Sequence, residues 1–112
     1  MSPRQISEDY TVSPQISVED VAAIKAAGFR SVICNRPDNE DAGQPTAETI
    51  RKAVEAAGMA FRHVPVISGQ MTLHDVEEQA KALDELEGPV FAYCRSGTRC
   101  TNLFMGVQQL RG

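Results

Sequence analysis

Cys94-Arg95-Ser96-Gly97-Thr98-Arg99-Cys100 places two thiols, two hydroxyls, a glycine and two guanidinium groups in one short stretch. The apolar run Val90-Phe91-Ala92-Tyr93 precedes it, and a helix-like pattern follows it. A cysteine at the junction of a strand and a helix meets backbone N–H groups that the helix leaves unpaired, together with the positive end of the helix dipole. Such a nest binds an anion. It also lowers a thiol from about 8.5 to roughly 3.5–7.5, so Cys94 is expected as a thiolate and a nucleophile. The competing reading is a buried cysteine that merely ends a strand. Gly97 would allow a positive φ and a close approach of the backbone to a ligand. Arg99 is expected to bind the anion and stabilise the thiolate, with the N–H groups of residues 95–99 lining the loop, and Arg95 to guide a charged donor from the rim. Ser96 and Thr98 either donate hydrogen bonds or fit the turn. Cys100 could hydrogen-bond the thiolate, resolve a persulfide as a Cys94–Cys100 disulfide, or start the helix as a small buried side chain. The tightness of the loop favours the last.

The elements that must position this loop follow from periodicity and punctuation. Val90 to Tyr93, bounded by Gly88-Pro89, predicts a buried strand. Leu103, Phe104, Val107 and Leu110 predict a helix from about Thr98 to Leu110 with those residues inward. Residues 1–8 read as an extended, partly mobile lead-in, and Asp9 to Val12 as a short strand. Ser17 and Asp20 cap a helix that buries Val21 and Ile24 and ends at Gly28. Ser31 to Cys34 is a strand, with Cys34 in the core. The polar loop from Asn35 to Pro45 follows its carboxyl end, where open α/β sheets place ligands. Arg36 in that loop is either a second cation at the pocket rim or a surface residue paired with Asp38. Thr46 caps a helix that turns Ile50, Val54 and Ala57 inward before Gly58. Ala60 to Val66 is a strand with Pro65 near its end. A flexible turn leads to a third helix, capped by Thr72 and Asp75, with Val76, Ala80 and Leu83 inward. The alternation predicts an α/β fold in three layers: a mostly parallel sheet flanked by helices, with Cys94 between the central strand and a helix.

At 112 residues, 42% hydrophobic and 23% charged, the chain is one domain, 1–112, of ordinary globular composition. A net charge of −4 without a basic run argues against a nucleic-acid partner. No stretch approaches the ~20 apolar residues of a membrane span, and the N-terminus lacks a signal-peptide pattern; a cytoplasmic protein is expected. The three cysteines form no even framework, and His63 and His74 lack ligand spacing with them, so no metal and no cofactor are expected. The end at Gly112 is compatible with a longer natural protein.

Tyr93-Cys94-Arg95-Ser96-Gly97-Thr98-Arg99 resembles the active-site loop of single-domain rhodaneses, in which a cysteine carries a persulfide. It is also similar to the phosphate loop of tyrosine and dual-specificity phosphatases, which places five residues between cysteine and arginine. Here four residues separate Cys94 from Arg99, and Cys100 takes the phosphatase arginine's place. Over nearly its whole length, from Pro3-Arg4-Gln5-Ile6-Ser7 through Ile33-Cys34-Asn35-Arg36-Pro37-Asp38 to Val64-Pro65-Val66, the chain resembles the bacterial phosphatase-like domain of beta-lactamase hydrolase-like proteins. That resemblance implies a dual-specificity-phosphatase fold with a rhodanese-like loop. It also implies possible association with a persulfide dioxygenase or a sulfide:quinone oxidoreductase. In the dual-specificity phosphatases the loop after the Val64-Pro65-Val66 strand supplies a proton-donating aspartate. The matching position here is near Ser68, with Asp75 and His74 as the nearest substitutes. These features favour a sulfurtransferase that moves sulfane sulfur from thiosulfate or glutathione persulfide through Cys94 to a thiol acceptor. The alternatives are a phosphatase that forms a phosphocysteine at Cys94 and a non-catalytic anion-binding or docking domain.

Overall fold

A computed structural model describes residues 1–112. Five short strands, β1 (Arg4–Ser7), β2 (Tyr10–Ser13), β3 (Ser31–Cys34), β4 (Ala60–His63) and β5 (Val90–Tyr93), form one sheet in the order β1-β2-β5-β3-β4. All neighbours are parallel except β1, which pairs antiparallel with β2. Four helices cover it: α1 (Val21–Ala26), α2 (Ala47–Ala56), α3 (Leu73–Glu85) and α4 (Thr98–Arg111). The expected three-layer α/β architecture is present, with β5 in the centre.

Burial on both faces explains why β3 and β5 read as unbroken apolar runs. Successive side chains on a strand point to opposite faces. Val32, Cys34, Phe91 and Tyr93 therefore pack with Ile24 of α1 and with Ile50 and Val54 of α2. Ile33, Val90, Ala92 and Cys94 face the other layer, where Ala82 of α3 and Cys100 of α4 meet them. Tyr10 stacks on Phe104 at 4.6 Å between ring centroids, and Phe29 meets Phe91 edge-on at 5.2 Å.

Residues 4–7 depart from the expected mobile lead-in: they form β1, with Arg4 opposite Val12 and Gln5 opposite Thr11. Arg-Gln-Ile-Ser gives no apolar alternation because this edge strand is held by its backbone and is mostly exposed. β4 stops at His63 and not at Val66, since Pro65 has no N–H to donate. Val64 and Val66 nevertheless donate to the carbonyls of Cys34 and Asn35 at 2.9 and 3.2 Å. β2 lies one residue later than expected. Leu110 is 48% exposed, against the inward position expected of it, because α4 turns Cys100 and half-buried Phe104 toward the sheet and Leu103 and Val107 toward Val66 and Val76. The caps are as expected: Thr72 Oγ1 accepts from Asp75 N–H at 3.1 Å, Asp75 Oδ2 accepts from Thr72 N–H at 3.0 Å, and Thr46 Oγ1 accepts from Thr49 N–H at 3.1 Å.

Ile33 is fully buried at the sheet centre. Ile33→Ala should cost about 2–5 kcal/mol, read in urea unfolding as a lower midpoint at unchanged slope. Leu110→Ala should stay within about 0.5 kcal/mol. Equal losses at the two positions would contradict this placement.

Candidate active site

The loops after β2, β3 and β5 converge at the carboxyl edge of the sheet. Gln15 N–H donates to the Arg95 carbonyl at 3.3 Å, Cys94 N–H to the Ser13 carbonyl at 3.2 Å, and Asn35 N–H to the Tyr93 carbonyl at 2.8 Å. Gly97 caps α4 at φ +92°, the left-handed region that glycine enters without strain. This turn folds the loop back so that Gly97 N–H donates to Cys94 Sγ at 3.1 Å.

Cys94 is lowered to about 5. The Cys100 thiol hydrogen bond is the largest cause, acting against burial, and the N–H groups of Cys100, Ser96 and Gly97 add to it. The amide lining is therefore Ser96, Gly97 and Cys100, and not the expected run 95–99. Thr98 N–H goes to Ser96 Oγ at 3.3 Å, and Ser96 Oγ and Thr98 Oγ1 bond each other at 3.0 Å on the exposed side. Cys100 combines two of its expected uses. It is a fully buried side chain of the first turn of α4, and its thiol serves the Cys94 sulfur while burial pushes its own ionisation well up.

Arg99 interacts electrostatically with the Cys94 sulfur, as expected, but its hydrogen bonds go elsewhere. Its Nη1 donates to Glu40 Oε2 at 2.7 Å and to the Val66 carbonyl at 2.9 Å, and its Nη2 donates to Glu40 Oε1 at 2.9 Å. Glu40 takes the guanidinium's terminal edge, so the hydrogen bonds to the Cys94 sulfur come from Cys100 and the amides. Arg99 Nε–H makes no hydrogen bond within the chain. Together with the remaining Nη2 hydrogen it leaves one edge of the guanidinium for an oxyanion, a geometry suited to bidentate binding.

Arg36 is neither at the rim nor paired with Asp38. It is buried, with Nε on Glu40 Oε1 at 2.8 Å, Nη1 on Gln15 Oε1 at 3.0 Å and Nη2 on Asp41 Oδ2 at 2.7 Å. Asp38 instead accepts from Ala47 N–H at 2.8 Å, at the start of α2. Arg95 stands outward, 3.5 Å from Asp41 Oδ2. Ser68 lies exposed in the turn beyond Val66, and its side chain makes no hydrogen bond. Asp75 is used by the α3 cap and His74 faces outward near Glu78, so neither expected substitute acid is aimed at Cys94.

Two groups of residues behind the loop escaped the sequence reading. Glu40 and Asp41 form the carboxylate side of the arginine cluster; their signal was an acidic pair in the loop after β3. Asn35, Gln79 and Tyr10 form a buried polar network. Asn35 Nδ2 donates to Gln79 Oε1 and to the Val64 carbonyl, both at 2.9 Å, Gln79 Nε2 donates to Tyr10 Oη at 3.2 Å, and Tyr10 Oη donates to the Cys100 carbonyl at 2.8 Å. Its signal was a glutamine on the inward face of α3. The largest concavity, about 340 Å³, lies elsewhere, lined by Tyr10, Leu86, Val90 and Phe104 among others and by no residue of the Cys94 loop.

Alkylation of Cys94 by iodoacetamide, followed by mass spectrometry, should rise with pH around a midpoint of about 5, well below the ~8.5 of an ordinary thiol. Cys100→Ala should raise that midpoint; an unmoved midpoint would assign the shift to the amides alone. Glu40 is lowered from 4.5 to about 2, first by the Arg99 hydrogen bond. Its folded value lies below the unfolded one, so its stabilisation is complete above about pH 4.5 and is lost as pH falls through about 2. Glu40→Gln should reduce stability at pH 7 and flatten the acid limb of the stability profile. An acid limb as steep as the wild type's would remove Glu40 from this role.

Residues 3–110 match the family described as the beta-lactamase hydrolase-like protein, phosphatase-like domain. The beta-lactamase hydrolase-like protein of Agrobacterium fabrum is 37% identical over the whole chain, which spans 26% of that relative's length. That of Xylella fastidiosa is 34% identical over 88% of the chain and 23% of the relative. Among solved structures, a candidate phosphatase from Neisseria meningitidis is 40% identical, with a TM-score of 0.84 over 89% of this chain and 71% of that one. The core catalytic domain of a PP-IP phosphatase from S. cerevisiae shares the fold at 12% identity, with a TM-score of 0.66 over 85% and 56%. With its cysteine loop in the place described above, the chain belongs to the phosphatase-like domain family of the beta-lactamase hydrolase-like proteins.

Proposed function

We propose that the domain is a cysteine-dependent phosphohydrolase in which the Cys94 thiolate accepts a phosphoryl group and water then removes it. The observation that carries this reading is the pairing of an ionised sulfur, held by Gly97 N–H at 3.1 Å, with an arginine whose terminal edge is fixed on Glu40 and whose other edge is open. A thiolate at neutral pH supplies the nucleophile. Fixed amides and a fixed guanidinium supply electrostatic stabilisation where charge develops on the equatorial oxygens. Likeness to a candidate phosphatase at 40% identity supports the same chemistry.

Sulfur transfer is the second reading. It is favoured by the short Cys94–Arg99 spacing and by the Cys100 thiol set against the Cys94 sulfur, which suit a compact sulfane group. Thiosulfate or glutathione persulfide would be the donor, a small thiol the acceptor, and a persulfide dioxygenase or a sulfide:quinone oxidoreductase a possible partner. In either case reducing cytoplasmic surroundings would keep the three thiols available; no helix is long and apolar enough to cross a membrane.

The deciding experiment incubates the protein with 4-nitrophenyl phosphate or with thiosulfate, quenches in acid and weighs the Cys94 peptide. A phosphoryl adduct with steady nitrophenol release, both abolished in Cys94→Ser, is expected. A single-sulfur adduct with thiocyanate formation from cyanide, and no phosphoryl adduct, reverses the order of the readings. Neither adduct leaves an anion-binding or docking domain.

A further inference from the structure

Ester cleavage by a thiolate leaves a negative charge on the departing oxygen, and an enzyme commonly meets it with a carboxylic acid or an imidazolium. The groups of that kind in the loop after β3, at the end of β4 and in the first turn of α3 all have other engagements. Glu40 bridges Arg36 and Arg99, and Asp41 pairs with Arg36 at 2.7 Å and lies 3.5 Å from Arg95. Asp38 and Asp75 accept backbone N–H groups at the starts of α2 and α3. The imidazole of His63 bonds the Arg36 carbonyl at 2.9 Å, and His74 points outward toward Glu78 at 3.7 Å. Moving Glu40 or Asp41 to the leaving oxygen would strip a carboxylate from Arg36, which is only 3% exposed, at the cost of an uncompensated buried charge.

We infer that the domain accepts only donors whose leaving group departs as a stable anion, namely phosphoanhydrides and aryl phosphates, and discriminates against alkyl phosphate monoesters. This rests on the phosphohydrolase reading and names its substrate class. In the first step the sulfur–phosphorus bond forms as the phosphorus–oxygen bond breaks, and both electrons of the broken bond stay on the leaving oxygen. That oxygen is a phosphate, carboxylate or phenolate, and it takes any proton later from solvent. In the second step a water oxygen attacks phosphorus, the sulfur–phosphorus pair returns to Cys94 as thiolate, and the water's protons remain on the released dihydrogen phosphate. No oxidant or reductant enters. An alkoxide is too basic to leave in this way, whereas a phenolate, with a pKa near 10 for its acid, is tolerable and a phosphate or carboxylate is easy.

The test uses the wild-type chain and compares kcat/KM for acetyl phosphate, 4-nitrophenyl phosphate, phenyl phosphate and O-phosphoserine, with acid-quench weighing of Cys94 for each. The expected result is a steep fall with leaving-group basicity, O-phosphoserine lying at least ~10²-fold below phenyl phosphate, the low end of what a general acid contributes. O-Phosphoserine within about tenfold of 4-nitrophenyl phosphate, with a phosphocysteine seen for both, overturns the inference and leaves the phosphohydrolase reading intact. Absence of phosphocysteine and of phosphate release with all four probes overturns both.

Discussion

Two guanidinium groups under the Cys94 loop share one carboxylate, and the placement of everything around the sulfur depends on that carboxylate staying ionised. Glu40 receives Arg36 from the β3 loop and Arg99 from the first turn of α4, so it ties together two segments that the sheet topology only brings close. Arg99 and Arg36 strongly favour the charged form of Glu40, and Arg99 is in turn held so that its plane cannot swing. Around the sulfur three arginines face Glu40 and Asp41.

The strand order gives the same cluster its location. The chain runs outward from β2 to β3 and β4 with α1 and α2 on one face, then returns through α3 to β5 in the middle. The direction of winding reverses between β2 and β3, where β5 is inserted, and in open α/β sheets this is the place where ligands bind. Cys94 ends the strand at that reversal, and the buried Asn35–Gln79–Tyr10 network fastens the Cys100 carbonyl behind it. Buried polar groups of this kind are stable only when fully paired; here they make α3 a support for the loop as well as a cover for the sheet.

Much of this was legible from residue type and spacing. Val90–Tyr93 and Ser31–Cys34 announced buried strands because burial on both faces demands uninterrupted apolar runs, and the Cys94-to-Gly97 turn announced a thiolate because its chemistry is local. Arg36 and Arg99 were visible as cations but not their partner, since Glu40 reaches Arg99 across 59 positions and no spacing rule predicts such a contact. Gln79 was visible only as a polar residue on the inward face of α3, and its partners Asn35 and Tyr10 lie 44 and 69 positions away. β1 was missed because an exposed edge is held by backbone hydrogen bonds, which leave no mark on side-chain pattern.

The alternation along β5 sets a narrow tolerance on the position of the nucleophile. Tyr93 points into the layer with α1 and α2, Cys94 into the layer with α3 and α4, and Cys34 lies on the Tyr93 side. One residue inserted or deleted between Val90 and Tyr93 would exchange those sides. The sulfur would then emerge among the aliphatic side chains of α1 and α2, out of reach of Cys100. Sequence drift in this strand is thus free to change side-chain size, but not length.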